Sequence, residues 1–197
     1  SPGVAVSGPS IPGSCLVVLF IALLAIFRGL LVLCKIKNNF ENPQLSPKPT
    51  ASIPFTPLMA YWLLKSEPDT YSWNDLELEK VGTWDGVRNH SAKLNLKSMR
   101  CGDFAFFYHS VSEKAVVGLV EIIEEAFPDP TAGEGQPWVA VRVKPMVRLN
   151  RTVTLQELKG DPSMAGLMLL SHTRLSVMPL SKAHFDAIFA LAQRPDP

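Results

Sequence analysis

Thr83-Trp84-Asp85-Gly86-Val87-Arg88-Asn89 is the stretch around which this chain of 197 residues is best read. It sets an indole, a carboxylate, a guanidinium and a carboxamide side by side. Gly86 stands where the backbone turns or lets another group come close. Residues 81–84 predict a brief strand running into an Asp85-Gly86 turn. Residues 91–99, with apolar Ala92, Leu94, Leu96 and Met99, predict a helix. A turn at Gly102-Asp103 then leads into Phe104-Ala105-Phe106-Phe107-Tyr108-His109-Ser110, which predicts a buried strand with a polar end. Together the two stretches predict the wall and floor of a pocket for a flat, hydrogen-bonding ligand.

The remaining elements frame that pocket. Tyr61-Trp62-Leu63-Leu64-Lys65 is rich in strand formers and predicts a buried first strand, ended at Ser66-Glu67-Pro68-Asp69. Ser72, with Asp75 three residues on, predicts an N-capped helix to about Lys80. Residues 114–123 predict a strand with Gly118 as a bulge or close approach. Residues 124–136 read as a long polar loop. Residues 138–149 alternate, Val139, Val141 and Val143 on one face, Arg142 and Lys144 on the other. Short helices over 154–159 and 163–170, a strand over 175–178 and a closing helix capped by Ser181 complete the chain. No βαβ unit repeats at regular length. The pattern predicts an α+β fold: a small mixed β-barrel of about five to six strands with flanking short helices.

Ahead of Met59 the composition changes. Residues 15–34 are apolar except for Arg28, about the length that crosses a bilayer, and Lys35 and Lys37 follow. Two readings stand: a membrane anchor with the C-terminal domain on the cytoplasmic side, or upstream sequence carried by a mis-assigned start. Five prolines between Glu41 and Leu58 make an extended linker under either. The boundary therefore falls between residues 1–58 and a domain over 59–197. That domain has 15 Lys and Arg against 17 Asp and Glu. Bulk phosphate attraction is thus excluded as its means of binding; a nucleic-acid ligand would need a local basic face and a specific pocket. Cys101 is its one cysteine, which rules out an internal disulfide and favours a reducing, cytoplasmic setting.

The chemistry-bearing residues favour binding over catalysis. His109 and Ser110 are neighbours on a strand, so they face opposite ways and cannot pair as base and nucleophile. No metal-ligand spacing joins His90, His109, His172 and His184, and no cofactor motif stands out. Trp84 and Tyr108 have polar residues crowded beside them, unlike Trp62, Phe104 and Phe106, which read as core. Asn89 presents a donor and an acceptor together, as the edge of a base requires. Arg88 suits a phosphate, or a salt bridge to Asp85, the commoner outcome. Arg142, Lys144, Arg148 and Arg151 make a modest basic stripe, read either as nucleic-acid backbone contacts or as a solvated face. An enzyme acting on a nucleotide or heterocycle through Asp85, Glu67 or His109 is the competing reading.

Four motifs in order also carry a resemblance: Lys65-Ser66-Glu67-Pro68; Trp84-Asp85-Gly86-Val87-Arg88-Asn89 with Ala92; Phe106-Phe107-Tyr108-His109-Ser110; and Arg174-Leu175-Ser176-Val177 followed by Pro179-Leu180. From Met59 to Ala192 the chain resembles the EVE domain family, its bacterial members above all. The resemblance implies a PUA-like fold related to domains that hold a modified base. It implies a non-catalytic reader of modified bases, modified cytosines in DNA first, with modified RNA the alternative partner. Carried over by motif, the base-binding pocket would draw on Lys65, Ser66, Trp84, Gly86, Val87, Asn89, Tyr108, His109 and Ser110. The position after the Asn, often aromatic in the family, is His90 here, so the pocket rim differs.

Overall fold

The computed structural model describes residues 59–195, so the apolar block at 15–34 and its linker lie outside the described residues. Among the described residues no helix is long and apolar enough to cross a membrane.

The frame is a six-stranded mixed sheet in the order β2-β5-β4-β3-β1-β6. Its strands are β1 (Tyr61–Ser66), β2 (Gly82–Trp84), β3 (Phe104–His109), β4 (Ala115–Pro128), β5 (Val139–Thr154) and β6 (Val177–Leu180). β1 and β3 run parallel; the other pairings are antiparallel. Among the described residues five α-helices flank it: α1 (Trp73–Glu79), α2 (His90–Ser98), α3 (Leu155–Gly160), α4 (Met168–Ser171) and α5 (Lys182–Ala192). The expected small mixed barrel is realised as a sheet that does not close. Helix α2 packs against β6 at one edge and against β4 and β5 toward the other.

Local signals explain most element starts. Ser72 accepts from the Asp75 N–H while the Asp75 carboxylate accepts from the Ser72 N–H, a reciprocal capping box. Thr154 and Glu157 repeat the device at α3, and Ser181 caps α5. At the head of β1, Asp103 gathers three donors: the Ala60 N–H, the Trp62 indole N–H and the Arg100 N–H. That carboxylate locks the turn before β3 onto the start of β1.

Three expectations are corrected. β4 continues to Pro128, through what reads as a polar loop. Beyond Glu121 it pairs with β5 alone, and from Ile123 on its residues are half-buried or exposed, so no apolar alternation marks it. The expected helix over 163–170 is split into a 3-10 turn (Pro162–Met164) and α4, because Gly166 takes a φ of +81° between them. The last strand lies two residues later than expected, its register set by pairing with Tyr61–Leu64. Pro179 is tolerated because β6 is an edge strand.

Gly118 and Gly82 mark close approaches in the fold, a Cβ at Gly82 lying 2.2 Å from the Tyr71 hydroxyl. The ladder shifts register beside Gly118, and a Cβ there would lie 2.2 Å from the Trp73 ring. Gly118→Ala is expected to destabilise the domain by about 1–3 kcal/mol through overpacking. Gly160→Ala, with open space at its Cβ, should be neutral or slightly stabilising. Urea midpoints of the two variants check this; equal midpoints would refute the close-packing account.

Candidate functional site

The stretches 83–89 and 104–110 meet through aromatic rings. Trp84 ends β2 and packs edge-on against Phe107, with centroids 5.2 Å apart. Tyr71 lies 6.3 Å from both rings, and Trp73 reaches Phe107 at 5.6 Å. Trp84 is 6% exposed and Phe107 is fully buried. Burial, helped by a 2.6 Å hydrogen bond to Glu79, pushes the Tyr71 phenol well above its usual range.

After Trp84 the chain turns at Gly86, whose φ is +69° and beside which a Cβ would meet nothing within 4 Å. The Gly86 N–H donates to Asp129 Oδ2 at 3.0 Å, and Arg88 Nη1 donates to the same oxygen at 2.6 Å. The Thr131 N–H and hydroxyl donate to Asp129 Oδ1, each at 2.7 Å. Burial alone would raise the Asp129 pKa, but the donors from Thr131, Arg88 and Gly86 outweigh it and hold the carboxyl below its usual range. Arg88 therefore pairs with Asp129 and not with Asp85. Asp85 is half-buried; burial first, then the Asp129 charge, raises its pKa. Val87 is buried, and Asn89 caps α2 by accepting from the Ala92 N–H at 3.0 Å through Oδ1. That leaves the Asn89 amide N–H groups facing outward from an exposed residue.

The parallel register sets Lys65 beside Tyr108 and Ser66 beside His109. Most of their polar atoms are engaged within the fold. Lys65 Nζ donates to the Thr173 carbonyl at 2.7 Å, and burial lowers its pKa. The Ser66 hydroxyl donates to the Tyr71 carbonyl, and the Ser110 N–H and hydroxyl both donate to the Ser66 carbonyl. His109 Nε2 accepts from the Trp73 N–H at 3.0 Å, which places the ring proton on Nδ1, facing Glu113 at 2.7 Å. Tyr108 is buried, which raises its pKa. Alternation on β3 puts Tyr108 on the face opposite Phe107, and so opposite Trp84. The two rings cannot sandwich one base.

The basic stripe of β5 faces acids. Arg142 pairs with Glu124 at 2.9 Å, Arg148 with Glu77 at 2.5 Å, and Lys144 stands opposite Glu121 in the ladder. Sequence reading passed over two residues that matter here. One is Asp129, for which the Asp-Pro-Thr order of an Asx turn was the available signal. The other is Trp138, half-buried, with the His90 ring 5.0 Å away, Lys93 Nζ at 5.5 Å and Arg88 Cζ at 5.8 Å. A hollow of about 310 Å³ beside Asp161 and Leu170, and one of about 500 Å³ beside Lys114 and Gln156, are lined by none of the residues expected to bind a base.

The Asp129 clamp has a signed pH dependence. Its folded pKa lies below the ordinary 3.8, so its stabilisation is present above that value and lost as pH falls through the folded pKa. Asp129→Asn is expected to cost about 2 kcal/mol at pH 7, the scale of hydrogen bonds to a charged group. Urea midpoints from pH 7 to 3 should show the gap to wild type closing below about pH 4; a gap constant with pH would contradict the clamp.

The EVE domain model matches residues 60–191. Mouse thymocyte nuclear protein 1 is 34% identical over 189 residues, which span 79% of this chain and 83% of that protein. An NMR structure of a Rhodopseudomonas palustris protein is 43% identical, with a TM-score of 0.64, over 68% of this chain and 93% of that one. Human THYN1 protein, solved in complex with 5-methylcytosine containing DNA, is 32% identical with a TM-score of 0.64, over 70% of this chain and 99% of that one. Matched across its whole sheet and the flanking helices, the chain belongs to the EVE domain family and has its PUA-like fold.

Proposed function

We propose that this protein is a non-catalytic nucleic-acid-binding module that reads a modified base, a modified cytosine in DNA first. The observation that carries the reading is its likeness to human THYN1 protein, solved with 5-methylcytosine containing DNA and aligned over 99% of that chain.

The 84–89 segment offers suitable chemistry. The open side of Gly86 gives a flat ligand close access to the backbone. The Trp84 edge supplies an apolar contact for a base or its methyl group, worth about 0.8 kcal/mol per methyl-sized group buried. Val87 backs the turn, and the Asn89 amide donates to the base edge. Lys65, Ser66, His109 and Ser110, their side chains engaged within the fold, brace the strands behind the pocket, and Tyr108 packs on the opposite face of β3. Base extrusion costs a few kcal/mol, so modest affinity is expected. Arg88 holds the turn in shape, and Arg142, Lys144 and Arg148 are the backbone contacts the sequence suggests.

A second reading rests on Asp85. A half-buried carboxyl with a raised pKa suits acid–base chemistry on a nucleotide. His109 is a weaker candidate, because both ring nitrogens already have partners.

The test is a titration of single- and double-stranded oligonucleotides carrying cytosine, methylated or hydroxymethylated cytosine, or methylated adenine. Preference for one modified cytosine is expected. Asn89→Ser keeps a capping oxygen but removes the amide donors, so α2 should stay intact while the preference drops about tenfold, the scale of one hydrogen bond. Equal binding to every oligonucleotide would sink the reader and raise the Asp85 reading.

A further inference from the structure

We infer that Trp138, His90 and Lys93 form the surface that grips the nucleic-acid strand beside the base, through phosphate and stacking contacts. The inference rests on the nucleic-acid reading above and adds a second set of contacts to it.

Position comes first. Trp138 closes the loop that Asp129 opens, since the Asp129 N–H donates to the Trp138 carbonyl at 3.1 Å. Asp129 is in turn bound to Gly86 and Arg88. The indole is thereby tied to the 84–89 segment through two rigid links. His90 and Lys93 lie on the first turn of α2, directly after Asn89. The strand leaving a base held at 84–89 would meet this surface first.

Charge is the second argument. Lys93 Nζ lies 3.5 Å from His90 Nδ1 and 5.5 Å from the Trp138 centroid. Among the described residues neither Lys93 nor His90 pairs with a carboxylate within 4.0 Å. Arg142, Arg148, Arg151 and Lys182 all have such a partner. A domain with an acidic balance has thus left the Lys93 ammonium, beside the His90 ring and the Trp138 indole, without a carboxylate partner. A phosphate supplies the missing anion, and the indole face supplies a platform for a base or sugar. Arg88, its charge already met by Asp129, steadies the indole from one side at 5.8 Å.

The surface is tested with the full chain and fluorescent duplexes, with and without the preferred modified base, from 50 to 300 mM salt. Lys93→Gln is expected to weaken both duplexes alike, leaving their affinity ratio unchanged, and to shrink the salt slope by about 0.9, one phosphate contact. Lys97→Gln on the same helix and Lys182→Gln on α5 should leave the slope as in wild type. Trp138→Leu should cost about tenfold, while Trp138→Phe, which keeps an aromatic face, should bind nearly as wild type. Thermal midpoints confirm that each variant is folded. If wild type binds and Lys93→Gln behaves like it, or if Lys97→Gln or Lys182→Gln lowers the slope equally, the surface is refuted. If wild type binds no oligonucleotide at all, the nucleic-acid reading itself falls, and this surface with it.

Discussion

The packing of β3 is the constraint on which the other elements depend. Every residue from Phe104 to His109 is buried, so both faces of this strand must be covered. On one face Phe106 stacks against Phe185 of α5, at 4.7 Å, and Tyr61 packs on the same ring. On the other, Phe107 gathers Trp73, Trp84 and Tyr71. Each buried aromatic contributes about 1.5–3 kcal/mol by leaving water, and edge-on ring pairs add to that. Two helices distant in sequence, α1 through Trp73 and α5 through Phe185, are thus held by adjacent residues on opposite faces of one strand. The close approach of Trp73 to Gly118 follows from the same demand, since the indole must reach past β4 to touch Phe107.

Polar satisfaction around that core is achieved mostly by side chains that serve the backbone. His109 closes the start of α1, Asp103 closes the start of β1, and Asp129 closes the Gly86 turn. A buried carboxylate is costly unless donors surround it, and both aspartates have them. The chemistry of the 84–89 segment depends on this arrangement. Arg88 neutralises Asp129, which fixes the loop ending at Trp138 and leaves Asn89 exposed beside Lys93 and His90.

Much of this was legible in the order of residues. Ser72 with Asp75, and Ser181 before an apolar-faced run, announce helix starts because a cap is made within three residues. Phe104 to Tyr108 announces a buried strand because too few polar groups stand there for any exposed face. Gly118 reads as a close approach because glycine inside a strand needs a reason. The arm of β4 past Ile123 was not legible: a strand with only half-buried and exposed residues has the composition of a loop. The pairing of Arg88 was not legible either, because Asp85 is three residues away and Asp129 is 41.

What the sequence determined by itself was the set of elements, the two chemistry-bearing stretches and, through its motifs, the EVE domain family. These rest on interactions within a few residues or on patterns of period two and 3.6, which a linear reading carries. Only the tertiary structure decided which partners those residues take. It placed Trp84 and Tyr108 on opposite faces, turned Asn89 Oδ1 toward a helix start, set acids opposite the β5 stripe and gathered His90 and Lys93 around Trp138. Each outcome depends on strand order and on which face a side chain leaves. Sheet pairing sets those at long range, with no local energy to record them.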